Sequence, residues 1–167
     1  MSTAYPLSKT DLQTVAQILG LPQRYAGRAA HVLQLWERST VAPVKVMRPR
    51  DVWNLLKPTL GRAKKEMLVG LYLDASNGVI CQEVISVGSL NTTRTHPREI
   101  LFPAVSNLAL GFILAHNHPS GNLDPSDEDV AFTRAVHRAC ETLGIELYDH
   151  IIVTRDGYTS LRERGAI

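Results

Sequence analysis

Cysteine is scarce in this chain. Cys81 and Cys140 are the two it has among 167 residues, with no CxxC spacing between them. That excludes a disulfide framework and a thiolate zinc ribbon, and it predicts reduced, core-facing thiols in a cytoplasmic protein. Long apolar runs are missing as well: none approaches the roughly 18 residues a membrane span needs. The opening MSTAYPLSKTDLQ is polar and lacks the apolar stretch of a signal peptide, so no membrane partner is expected. Aromatic residues make up only 6%, too few to interleave with basic residues as a base-stacking platform. Hydrophobic content of 44% and charged content of 20% exclude disorder, and the length suits one domain with a small appendage.

No charge of one sign dominates, the net being +2, but the distribution is uneven. Residues 1–65 hold eleven Lys and Arg against three acids, and residues 66–167 hold seven against thirteen. The first part therefore carries +8 and the second −6, an asymmetry that offers a basic N-terminal segment for DNA contact.

Helical spacing runs through 7–20 (Leu12, Val15, Ala16, Leu19, stopped at Gly20) and again through 23–38. Residues 39–49 carry two prolines and no period, and read as a linker. RPRDVWNLLKPTLG predicts a short helix ended by Pro58. From residue 66 the pattern changes to strands: EMLVGLYLD and VICQEVISVG flank the turn formers ASNG, an antiparallel hairpin. Pro97 opens a helix through Ile100, Leu101, Ala104, Val105 and Leu108. ALGFILA is a short buried strand. A longer helix follows from Ser126 to Leu143, stopped at Gly144, then the strand IELYDHIIVT and a closing segment. Such alternation with one hairpin predicts an α/β, three-layer, mixed-sheet domain over 46–167, preceded by a small helical segment over 1–45.

The chemistry concentrates in HNHPSGNLDPSDED, residues 116–129. At the end of a strand, His116 and His118 point to one side, a bidentate imidazole arm for a borderline metal such as zinc. Ten turn-forming residues can then reverse the chain and return Asp129. Two neutral imidazoles and one carboxylate leave a fourth position for water, the pattern of a catalytic zinc. Ser126, three residues before Asp129, also fits a capping box, and Asp127 and Glu128 favour the positive end of a helix.

The full pattern His116-x-His118-Pro119, then Ser126-x-x-Asp129, resembles the JAMM (MPN-plus) metalloprotein motif. LYLDASNGVI, GSLNTTRTHPREI, ILAHNHPSGN and DHIIVT…GYTSLRERG are similar to the RadC branch of that family, over roughly residues 46–167. The resemblance implies a cytidine-deaminase-like three-layer fold and one zinc per chain held by His116, His118 and Asp129. It also implies hydrolysis of peptide or isopeptide bonds in a protein or peptide substrate. A base would come from a glutamate upstream, with Glu66, Glu83 and Glu99 as candidates. Glu66, fifty residues before His116 and just ahead of the first core strand, fits the family position. Ser126 would be the extra donor to a developing oxyanion, a role worth about 3 kcal/mol. His96, Asp149 and His150 stay outside this catalytic set, DHIIV reading as a strand-entry hydrogen bond.

The alternative is a DNA-associated RadC-type protein of DNA repair or recombination, with a nuclease or a purely binding role. The RadC resemblance also implies an N-terminal helix-hairpin-helix. ILGLPQRYAGRAAHVLQLWE corresponds to it but reads Gly20-Leu21-Pro22, and Pro22 has no N–H to offer a phosphate.

Overall fold

In the computed structural model the described residues are 44–88 and 95–167. The expected N-terminal helical segment, up to residue 43, and residues 89–94 lie outside them. Among the described residues no helix is long and apolar enough to cross a membrane.

Helix α1, Pro49–Leu60, opens with a proline, where a missing N–H is harmless, and with Asp51 accepting the Met47 and Arg48 N–H groups at 3.0 Å. Val52, Leu56 and Leu60 form its buried stripe at i, i+4 and i+8. Pro58 does not end this helix, contrary to the sequence reading. The carbonyl it leaves unpaired belongs to exposed Asn54, so water can satisfy it while burial of Leu60 carries the helix one turn further.

Strands β1 (Met67–Leu73) and β2 (Val79–Val87) pair as the predicted antiparallel hairpin. Its turn is fixed by the Asp74 carboxylate, which accepts from Ser76 N at 2.7 Å and Gly78 N at 2.9 Å, while Asn77 takes the left-handed conformation with φ 61°. Helix α2 (Pro97–Ser106) precedes strand β3 (Gly111–Asn117). It stops two residues short of Leu108, the last residue of its apolar spacing. Ile100, Leu101 and Ala104 are buried, but Asn107 folds back onto the Pro103 carbonyl, and Val105 and Leu108 stay exposed. Helix α3 (Asp127–Leu143) ends at Gly144, whose φ of 65° is a conformation glycine adopts without strain. Strands β4 (Glu146–Val153) and β5 (Tyr158–Ser160) follow.

The sheet order is β2-β1-β3-β4-β5, with β3 and β4 parallel and the other neighbours antiparallel. β1 and β3 are central strands with side chains covered on both faces, which is why they read as apolar runs rather than alternations. One core lies between the sheet and α2 with α3, through Leu68, Tyr72, Phe112, Leu114, Phe132 and Val136. The other lies under α1, through Val69, Leu71, Ile113, Ala115 and Ile151. Helices cover both faces of a mixed sheet: the three-layer α/β domain is the observed architecture. Cys140 is buried, which pushes its thiol up to about 11 and leaves it inert.

Candidate metal centre

Strand register assembles the site. β3 delivers His116 at its carboxyl end, and β1, antiparallel to it, begins at the same edge with Leu68 opposite His116. The residue just before β1, Glu66, is thereby brought to the two histidines. Ligand atoms of Glu66, His116 and His118 all lie within 4.8 Å of one another. Glu83, on the exposed outer strand β2, and Glu99, in the exposed first turn of α2, do not belong to this cluster.

Helix α3 supplies the second carboxylate. Its buried stripe, Phe132, Thr133, Val136 and Cys140, begins with Asp129, so helical periodicity turns Asp129 inward at the end where the helix dipole favours negative charge. Asp129 Oδ1 is 3.3 Å from His116 Nε2, and Asp129 Oδ2 is 3.4 Å from His118 Nε2. The two Nε2 atoms are 3.0 Å apart. Donor atoms roughly 2.0–2.1 Å from a shared tetrahedral centre stand about 3.3 Å apart; the 3.0 Å between the two Nε2 atoms and the 3.3 Å from His116 Nε2 to Asp129 Oδ1 are of that size, while His118 meets the other oxygen of Asp129. Mutual hydrogen bonding alone would also bring such groups together, but two imidazoles with Glu66 within 4.8 Å and Asp129 against both rings are the donor chemistry of a cation site.

The orientation of these groups is fixed from behind. His118 donates its Nδ1–H to the Asn122 carbonyl at 2.9 Å, which leaves Nε2 as its lone pair. Asp129 Oδ2 accepts from Ser126 N at 2.8 Å and from the Ser126 hydroxyl at 2.7 Å, while Ser126 Oγ accepts from Asp129 N at 3.1 Å. The predicted capping box is therefore present, and it loads Oδ2 and leaves Oδ1 the freer oxygen. Burial alone would raise the Asp129 carboxyl, but the His116 and His118 imidazoles, whose Nε2 atoms donate to it whenever they carry a proton in place of a cation, outweigh it and hold the group far below the usual carboxylate range. The same contact with Asp129 raises His118, against the effect of partial burial.

Solvent reaches this centre from one side. A cavity of about 690 Å³ is lined by Glu66, His118, Ser126 and Glu128, whereas His116 and Asp129 sit behind it, 0% and 3% exposed. Of the carboxylates, Glu66 is thus on the cavity side of the histidines, and Asp129 is on the protein side.

Asn117, which the sequence reading did not single out, and His150, which it set outside the catalytic residues, complete the surroundings. Asn117 faces away from the histidines and brackets Glu66: its Oδ1 accepts from Met67 N at 2.8 Å and its Nδ2 donates to Lys65 O at 3.1 Å. His150, fully buried, contacts His116, with Nε2 2.8 Å from His116 Nδ1. Burial, followed by the neighbouring His116, drives its pKa well below the ordinary value, so it is neutral. A histidine inside the apolar run of DHIIVT was the available signal, since a buried polar group requires a partner. Asp149 lies within β4 and not at its entry, contrary to the sequence reading; its carboxylate accepts from His150 N at 2.7 Å and from Ser160 Oγ at 2.6 Å. His96 caps α2 through Nδ1.

Residues 46–166 match the RadC-like JAB domain family. Over nearly its whole length the chain is also similar to UPF0758 proteins. That of Aquifex aeolicus is 36% identical over 96% of this chain and 70% of its own. That of Methanococcoides burtonii is 38% identical over 96% and 72%, and that of Streptococcus uberis 37% over 95% and 72%.

Proposed function

The chain belongs to the RadC-like JAB domain family, and from that premise we propose that it is a zinc-dependent hydrolase of peptide or isopeptide bonds. The observation that carries this reading is the convergence of His116, His118 and Asp129 with separations of 3.0–3.4 Å beneath an open cavity that Glu66 lines. His116 Nε2, His118 Nε2 and Asp129 Oδ1 would hold the zinc. When bound, the ion supplies Lewis acidity that brings a water's pKa towards neutrality. Glu66 accepts the proton released as water attacks the carbonyl and returns it to the leaving amine. Its place on the cavity wall supports the role of base over that of ligand. Ser126 donates to the developing oxyanion; its hydroxyl rests on Asp129 Oδ2, so this service requires it to exchange that bond.

The test is a screen of unstructured proteins, isopeptide-linked conjugates and DNA, followed by comparison of glutamate variants at equal zinc loading. Glu66→Gln should keep its zinc and its fold while hydrolysis falls roughly 10²–10⁴-fold. Glu83→Gln and Glu99→Gln should remain active. A fully active Glu66→Gln beside a dead Glu83→Gln or Glu99→Gln would move the base elsewhere.

A second reading, DNA association, has one structural observation in its favour. A cavity of about 440 Å³ bordered by His118 is lined by Arg62, Lys64 and Arg155, a setting for phosphate oxygens. The +8 of residues 1–65 includes Arg62 and Lys64. On this reading DNA retention falls steeply with salt, and retention that ignores salt argues against it.

A further inference from the structure

We infer that His150 and Thr133 form a positioning relay that holds His116 in its metal-binding tautomer and ties that ligand to Asp129. The inference rests on the metal reading of the site above. The contacts form an unbroken chain from one proposed ligand to the other. His116 Nδ1 is 2.8 Å from His150 Nε2, His150 Nδ1 is 2.6 Å from Thr133 Oγ1, and Thr133 Oγ1 is 2.6 Å from the Asp129 backbone carbonyl.

The direction of every proton follows from the far end. A carbonyl only accepts, so the Thr133 hydroxyl donates to Asp129 O. Thr133 Oγ1 is then the acceptor for His150 Nδ1–H. An imidazole enclosed at 0% exposure between His116 and Thr133 holds one proton, and with that proton on Nδ1 its Nε2 is a lone pair, which accepts from His116 Nδ1–H. That leaves the Nε2 lone pair of His116 directed at His118 and Asp129, the side where a cation belongs. Were His150 in the opposite tautomer, it would donate to His116 Nδ1, the His116 proton would sit on Nε2, and His116 could not ligate through that atom.

Metal-ligating histidines usually donate their second N–H to a carboxylate, a backbone carbonyl or water, as His118 does here with Asn122 O. His116 is 0% exposed and has another imidazole in that place. An imidazole can accept only if its own tautomer is fixed, and Thr133 is the residue that fixes it. The fold supplies the register. Parallel pairing sets His150 opposite Leu114 and Ile152 opposite His116, so His150 lies diagonally beside His116. Phe132 packs edge-on against the His150 ring, and Thr133 follows it on the buried stripe of α3. The relay thus joins strand β3, strand β4 and helix α3 behind the centre, and it links the strand-borne ligand to the helix-borne one.

The relay makes two measurements predictable. The first needs no variant: long-range ¹H–¹⁵N correlation spectra of the zinc-loaded full-length protein. His150 should carry its proton on Nδ1 with a bare Nε2, and His116 should be protonated on Nδ1 and metal-bound through Nε2. An Nε2–H His150 overturns the relay. The second is zinc affinity by competition with a chelator, measured beside the thermal stability of each zinc-free variant. His150→Phe and Thr133→Val should lose affinity roughly 10–100-fold. Thr133→Ser, which keeps the hydroxyl, should stay near the parent, and His150→Gln, which offers an acceptor oxygen, should lose less than His150→Phe. A purely structural role predicts instead that zinc-free stability falls while affinity among folded molecules is unchanged, and that result also overturns the relay. A parent protein that binds no zinc at all would sink the metal reading and the relay together. A parent that binds zinc tightly, with His150→Phe and Thr133→Val equally tight, would sink the relay alone.

Discussion

Replacing Asn117 by alanine asks how Glu66 is held. The side chain is 1% exposed and makes three bonds: it accepts from Met67 N at 2.8 Å and donates to Lys65 O at 3.1 Å and Ala63 O at 3.4 Å. The two carbonyls belong to half-buried or exposed residues and can turn to water. The Met67 N–H, at the start of a buried central strand, cannot do so easily, and an orphaned buried donor costs about 1–3 kcal/mol. A loss near 2 kcal/mol in a domain of this size lowers the melting temperature by roughly 6–12 °C. Freeing the residues on either side of Glu66 also lets its carboxylate drift, and a misplacement of about 1 Å can reduce catalysis on the order of 10²-fold. The proposed ligands His116, His118 and Asp129 are untouched, so metal content should stay at the parent level. Calorimetry, elemental analysis and a hydrolysis assay on the same preparation separate these effects. Unchanged melting together with unchanged activity would refute the claim that Asn117 positions Glu66, and loss of zinc would show that it acts on the ligands instead.

Ser126→Ala removes both the helix cap and the hydroxyl bond to Asp129, and urea unfolding of the zinc-free protein should show a loss of about 1–2 kcal/mol, with Ser126→Thr largely restoring it. Asp149 gives a pH signature. Burial raises its carboxyl above the ordinary value despite bonds from Ser160, Arg162 and His150. Its folded pKa therefore exceeds its unfolded one, so its contribution is fully present below about pH 4 and is lost as pH rises through the folded value. The stability of the parent relative to Asp149→Asn should accordingly decline from about pH 4 upwards, and a difference that grows with pH would reverse the assignment.

The layers and most element boundaries were legible because they follow from periodicity: apolar runs for β1 and β3, an i, i+3, i+4 stripe for α3, and turn chemistry at Asp74–Gly78. The meeting of His116, His118 and Asp129 was legible from spacing, since a strand-end His-x-His and a helix-start acid depend on local geometry. Asn117 and His150 were not. The value of Asn117 depends on the antiparallel pairing of β1 with β3, and that of His150 on the parallel pairing of β3 with β4, neither of which local sequence specifies. Pro58 misled for a related reason. A proline's penalty depends on whether the orphaned carbonyl faces water, and only the packed helix decides that.

The central claim, a cation held by His116, His118 and Asp129 with Glu66 outside the ligand set, is tested most directly by metal content. Elemental analysis would compare the parent, His116→Ala and Glu66→Gln, all purified without added metal and checked for folding by circular dichroism. The account predicts one zinc per chain in the parent, one in Glu66→Gln and none in His116→Ala. A parent without stoichiometric zinc, or a His116→Ala protein that retains it in full, would contradict it.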